Sequence, residues 1–251
     1  MTKIYTYYEN LNDPDQEMHK SLLGVWEESW KKQGFDPIIL SIDDAKKSSL
    51  FNQYMDLVQE VHIEVRGGAG LKQKNPVHKY WLAAQREIAA FHTIQEPSFI
   101  SDYDVINKSF RFDHKISSKV HWRDECCSCF ASGDSHGWEK YILFLIKQKN
   151  NIVNWCKKHY EERNRRCFGD QDFLEAVYHQ NTLSDIMKVF NISRHHTKIC
   201  RHYAPEEVGF PNMEVYHLGH GTSWKRAKEL GYTHNQINQY RLEMAKEIVN
   251  A

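Results

Sequence analysis

The apolar positions change period along the chain, and each change marks a predicted element. Residues 3–8 are rich in β-formers and run into Asn10, Asn12, Asp13 and Pro14, which predicts a strand closed by a loop. Met18, Leu22, Val25, Trp26 and Trp30 then recur at helical spacing up to Gly34, with Asp13 and Gln16 placed as a capping box and Pro14 at the first helical position. The continuous apolar run at 37–42 reads as a buried strand. Leu50, Phe51, Tyr54, Leu57, Val58 and Val61 mark a second amphipathic helix, and Tyr80, Trp81, Ala84, Ile88 and Phe91 a third. Between them, 66–76 carries three glycines and reads as a loop, and 98–107 follows as a strand containing acids. This β-α-β-α-loop-α-β order predicts a mixed, mostly parallel sheet flanked by helices, with ligands at the carboxyl ends of its strands.

The second half is less regular. Strands are expected at 119–122, 129–131, 199–203 and 213–217, and helices at 138–149, 152–163 and 173–178. A capping box of Thr233 and Gln236 opens a closing helix with Ile237, Tyr240, Met244 and Ile248 on one face. With six scattered prolines and no repeat, the 251 residues read as a single domain.

Composition narrows the function classes. Lys+Arg and Asp+Glu both number 33, so the formal charge is zero and a general nucleic-acid or anionic-membrane coat is not expected. No apolar run is long enough to span a bilayer, and the first ten residues lack the basic and apolar regions of a signal peptide, so a soluble, cytoplasmic protein is expected. Six cysteines without an export signal predict free thiols. Cys126, Cys127 and Cys129 with His121 lack the usual zinc-ligand spacing.

Three clusters carry candidate chemistry. Asp102 and Asp104, at i and i+2 of an extended segment, would face the same side and repel unless a cation sits between them; hard oxygen ligands suit Mg²⁺ or Mn²⁺. The same pair also fits a solvent-facing strand end. His217, Gly219, His220 and Gly221 follow a short strand, where imidazole can complete a metal shell and glycine lets backbone approach a phosphate. A plain glycine turn with surface histidines fits that segment too. Asp170, Gln171 and Asp172 lie after Gly169 at a helix start, placed either to cap it or to grip sugar hydroxyls.

Together, Asp102-Tyr103-Asp104, the later Asp170-Gln171-Asp172-Phe173-Leu174 and the His217-x-Gly219 segment ending in Trp224 resemble the GT-A fold glycosyltransferases, most nearly their retaining, family-eight-like branch. The resemblance implies an α/β, GT-A (Rossmann-like) fold over 1–251, with a nucleotide-sugar-binding half at 1–107, an acceptor and reaction-face half at 108–224 and a C-terminal helical segment at 225–251. It implies Mn²⁺ or Mg²⁺ held by Asp102, Asp104 and His217. Asp170, Gln171 and Asp172 would form the reaction face. Thr6, Tyr7, Tyr8, Lys79, Asp102, Tyr103, Gly219 and His220 would contact the nucleoside diphosphate sugar, a UDP-sugar by expectation, and Asp134 and His136 the glycan or other hydroxyl acceptor. The segment lacks the lysine-proline pair that usually precedes the tryptophan, and 110–129 has no counterpart in the family pattern. An inverting enzyme would instead need a carboxylate base such as Asp134 or Asp172. A sugar nucleotidyltransferase and a non-catalytic glycan-binding protein are the other readings; the first usually carries a glycine-rich phosphate loop near the first strand, which residues 8–11 do not offer.

Overall fold

The computed structural model of the protein describes residues 1–8, 15–41, 44, 50–66, 98–111, 120–122, 130–133, 135–163, 187–189, 196–199, 203–209, 212–219, 221 and 224–251. Within them the order is β1 (Thr2–Tyr7), α1 (Gln16–Lys32), β2 (Phe35–Leu40), α2 (Phe51–Arg66), β3 (Ser98–Ser101), β4 (Val105–Asn107), β5 (Val120–Trp122), β6 (Phe130–Gly133), α3 (Ser135–Lys147), α4 (Lys149–Arg163), β7 (Met187–Val189), β8 (His196–Lys198), a 3-10 turn (Pro205–Glu207), β9 (Val215–His217), α5 (Lys225–Glu229) and α6 (His234–Asn250). The architecture is mixed α/β, and none of the described helices is long and apolar enough to cross a membrane.

The chain forms two compact units, each assembled from separated segments. The first comprises Met1–Ile38, Ser101–His114 and Asn191–Ala251. At its centre is a three-stranded sheet ordered β4-β9-β8, with β9 antiparallel to β4 and parallel to β8. Helix α1 packs on β4 and on α6, and α6 also packs on β4.

Helix α1 forms where the apolar stripe predicts it. Leu22, Leu23, Val25, Trp26 and Trp30 are buried, while Lys31 and Lys32 in its last turn face the negative end of the helix dipole. Gly34 ends it in a left-handed conformation, φ 84°, with its N–H donating to the Lys31 carbonyl at 3.0 Å. The helix opens at Gln16 behind Asp15; Asp13 and Pro14, the expected cap and first helical position, lie outside the described residues. Two indoles fix α1 to the chain around β4: Trp26 Nε1 donates to Ser101 Oγ at 2.9 Å and Trp30 Nε1 to the Val105 carbonyl at 3.1 Å. Each buried indole N–H thereby finds an acceptor, so its ring contributes packing without an orphaned donor. Phe35 stands edge-on to Trp30 at 4.9 Å and stacks with Phe110 at 6.2 Å, closing this end of the core.

Helix α6 begins at the predicted capping box: Gln236 N–H donates to Thr233 Oγ1, and Thr233 N–H donates to Gln236 Oε1 at 2.8 Å. Its buried face is Ile237, Asn238, Arg241, Met244, Ala245 and Ile248.

The second unit comprises Ile39–Ile100 and Lys115–Phe190. Helix α2 packs on α3 and α4, burying Tyr54, Leu57, Val58 and Val61 together with Tyr141, Ile142, Leu145, Ile152 and Val153. Strand β5 pairs antiparallel with β6 and parallel with β7. The expected helices at 80–91 and 173–178 lie outside the described residues, as do Cys126, Cys127 and Cys129. Cys156 is buried and in no disulfide, as its sequence context predicts.

Candidate metal centre

The expected single strand at 98–107 is two strands, β3 and β4, separated by a turn at Asp102–Asp104. Asp is depleted in strands and readily occupies turns, and two of them flank Tyr103 here. The Val105 N–H donates to the Asp102 carbonyl at 3.1 Å and closes that turn. The two carboxylates therefore converge from a turn rather than from alternate positions of an extended strand. Asp104 is buried, 1% exposed, whereas Asp102 is half-buried.

Strand register supplies the third side chain. Val105 lies opposite His217 in the β4–β9 pair, and the Leu218 N–H donates to the Asp104 carbonyl at 3.0 Å. His217 Nε2 stands 3.3 Å from Asp104 Oδ1, and the imidazole is 6% exposed. One ligand atom each from Asp102, Asp104 and His217 lies within 4.8 Å of the others, the one such group of three or more His, Cys, Asp or Glu among the described residues. Opposite ligands of a six-coordinate Mg²⁺ are roughly 4.2 Å apart. The donor set is near enough to close on an ion of that size once the side chains draw inward. Two carboxylate oxygens and one imidazole suit Mn²⁺ or Mg²⁺ better than a thiol-seeking metal.

Arg241, fully buried on α6, faces the same carboxylate, with Nη2 3.7 Å from Asp104 Oδ2. Its Nη1 donates to Asn238 Oδ1 at 3.1 Å. The sequence signal for Arg241 was present: it falls on the helical stripe shared by Ile237, Met244 and Ile248, where a charge buried against the core requires a partner.

Above β9, Gly219 adopts φ 70°, a left-handed conformation that costs a residue with a Cβ about 1–2 kcal/mol. Trp224 Nε1 donates to the Leu218 carbonyl at 3.2 Å, so the buried indole pins the start of this loop. On the other side of the turn, the Tyr103 ring meets Tyr8 edge-on at 6.0 Å and His19 at 5.5 Å.

Of the expected donor-contacting residues, Thr6 and Tyr7 are buried in β1, Tyr8 and Tyr103 touch beside the acidic turn, and Gly219 lies in the loop after His217. His136 falls in the first turn of α3, because that helix starts at Ser135, ahead of the predicted position. Lys79, Asp134, Asp170, Gln171, Asp172 and His220 lie outside the described residues.

A family model described as "Domain of unknown function (DUF8765)" matches residues 1–67. No curated protein matches the chain. Among solved structures, the chain is similar to a glycosyltransferase involved in the glycosylation of the major capsid of PBCV-1. The identity is 11% over 97% of this chain and 98% of that one, with a TM-score of 0.46. It is also similar to the glycosyltransferase GlyE of Streptococcus pneumoniae TIGR4. The apo form aligns at 8% identity over 99% of this chain and 62% of that chain, TM-score 0.49, and a second GlyE structure at 9%, 99% and 63%, TM-score 0.47. The chain thus spans less than two thirds of the GlyE chains.

Proposed function

We propose that the protein is a divalent-metal-dependent glycosyltransferase that moves a sugar, with retention, from a nucleoside diphosphate sugar of the uridine type to a glycan or other hydroxyl acceptor. The observation that carries this reading is the convergence of Asp102, Asp104 and His217, anticipated from the motif resemblance, on a region small enough for one ion. Asp104 and His217 are nearly completely buried, whereas an adventitious surface pair would stay solvated.

In this reading Asp104 and His217 hold the ion, and Asp102, the more exposed carboxylate, meets it from the solvent side or reaches the donor ribose. When bound, Mn²⁺ or Mg²⁺ neutralises negative charge growing on the departing diphosphate. Tyr103 and Tyr8 offer aromatic faces for the donor base beside the acids, and Gly219 lets the backbone approach the phosphates. Asp170, Gln171 and Asp172 are assigned to the reaction face, Lys79 and His220 to the donor, and Asp134 and His136 to the acceptor, all on the sequence pattern.

The test is calorimetric titration of the full chain with Mn²⁺, followed by hydrolysis of nucleoside diphosphate sugars with and without the ion. The expected result is Mn²⁺ binding and slow Mn²⁺-dependent hydrolysis in the wild type, both lost in Asp104→Ala with the circular dichroism spectrum retained. Undiminished Mn²⁺-dependent turnover by Asp104→Ala overturns the assignment.

A further inference from the structure

We propose that Arg241 is the built-in counter-charge of the metal centre: it balances Asp104 before a divalent ion arrives and weakens the protein's own grip on that ion. The inference rests on the metal reading above and extends it to a residue that touches neither sugar nor phosphate in that reading, so Arg241 is a positioning residue.

The two oxygens of Asp104 face different partners. Oδ1 stands 3.3 Å from His217 Nε2, and Oδ2 stands 3.7 Å from Arg241 Nη2. Arg241 is 0% exposed and Asp104 1%, so their attraction is little screened by water. A guanidinium remains charged at any working pH, so the centre permanently contains a cation.

That cation is held in place. Arg241 Nη1 donates to Asn238 Oδ1 at 3.1 Å; one turn back, His234 Nε2 stands 2.6 Å from Asp15 Oδ2 and 3.1 Å from Asn238 Nδ2, and bonds to one of them at a time. His234, Asn238 and Arg241 recur at helical spacing along α6, which places buried Asn238 between the exposed start of the helix and the guanidinium. Gly221 lies so close that a Cβ there would stand 2.6 Å from Asn238 Oδ1. The guanidinium is thus held from behind by Asn238, which Gly221 closes in on from the loop.

The charge count gives the consequence. Asp102, Asp104 and Arg241 together leave one net negative charge, where two carboxylates alone would leave two. A divalent ion meets half the negative charge and a fixed like charge nearby, so the protein alone binds it weakly. Once it is bound, the centre carries a net positive charge that favours a polyanionic ligand.

Full-length wild type, Arg241→Met and Arg241→Lys are compared by Mn²⁺ titration calorimetry and by melting in EDTA and in Mn²⁺. Met keeps an unbranched apolar stem and removes the charged head; Lys keeps the charge. Arg241→Met is expected to melt lower than wild type in EDTA, to bind Mn²⁺ about tenfold more tightly, and to gain more in melting temperature from the ion. Arg241→Lys is expected to bind Mn²⁺ within about threefold of wild type. Equal or weaker Mn²⁺ binding by folded Arg241→Met overturns the proposal, as does tightening by Arg241→Lys to the same degree. Failure of Arg241→Met to fold even in saturating Mn²⁺ also overturns it, because the ion would then not replace the guanidinium. If wild type binds no Mn²⁺ at all, the metal reading itself fails, which the same titration distinguishes.

Discussion

Gly221 is where a single carbon is expected to perturb the centre most plainly. A Cβ there meets Asn238 Oδ1 at 2.6 Å and the His234 ring at 3.0 Å. His234 is exposed and can yield, but Asn238 is buried and hydrogen-bonded to Arg241, so the loop must move instead. Gly221→Ala is therefore expected to lower unfolding stability by about 1–3 kcal/mol and to weaken Mn²⁺ binding, measured by urea titration and calorimetry on the same preparation. A fully stable Gly221→Ala with unchanged Mn²⁺ affinity would show that the loop is not held against α6. At this scale, much of the centre was legible in sequence. Asp102 and Asp104 stood out because two carboxylates so close imply a shared cation, and His217 because a glycine-rich segment follows it. Their meeting was not legible, because it depends on the register of β4 with β9, two three-residue strands too short to show any period. Arg241 is hard to single out because Tyr240, a half-buried neighbour on the same helix, fits the apolar stripe as well.

Elements with several turns were legible for the opposite reason. Helices α1, α2 and α6 repeat their apolar signal often enough that one ambiguous residue changes little, and α6 also carries a capping box in its first turn. Boundaries and short strands were harder: β2 begins at Phe35 rather than Pro37, and β7, three residues long, was not anticipated. The approach to α6 carries a smaller feature that the pattern does not reveal. Tyr232, just before its cap, donates to Glu206 Oε2 of the 3-10 turn at 2.7 Å, and Tyr240 donates to the Pro205 carbonyl at 3.0 Å. The donated hydrogen bond holds the Glu206 carboxyl below its ordinary value of 4.5, and the carboxylate holds the Tyr232 phenol above its ordinary 10.0. The link contributes stability between these limits. The contribution is lost as pH falls through the lowered carboxyl value, and again as pH rises through the raised phenol value. Both groups are exposed, so the effect on stability is small, but the titration itself is readable. The phenolate absorbance removed by Tyr232→Phe is expected to be one that appears only above pH 10.0. A missing phenolate that titrates below that value would mean the two side chains do not meet in solution. Tyr240 also ionises late, chiefly because of burial and then the nearby Glu247, which is why a difference spectrum is needed.

The whole molecule divides its labour by unit. Asp102, Asp104, His217, Asn238 and Arg241 all belong to the first unit, although its three segments are separated by long stretches of chain. Bringing them together requires non-local contacts, which are entropically expensive to close and which local periodicity cannot encode. The indoles of Trp26 and Trp30, bonded to Ser101 and to Val105, supply part of that long-range connection, because they fix α1 directly beside the acidic turn. An ion bound by the native centre stabilises the unit that holds its ligands by mass action, by about 2.7 kcal/mol at a hundredfold excess over the dissociation constant. For a chain of two compact units a single melting temperature mixes their responses, whereas amide exchange reads each segment separately. Saturating Mn²⁺ is therefore expected to slow exchange in peptides covering 101–107, 215–219 and α6, and to leave the peptides of α2 and α4 nearly unchanged. Those helices bury their apolar faces within the second unit and supply none of the three ligands. Protection confined to α2 and α4, with none at 101–107 or 215–219, would place the ion elsewhere and remove the basis for the transferase reading.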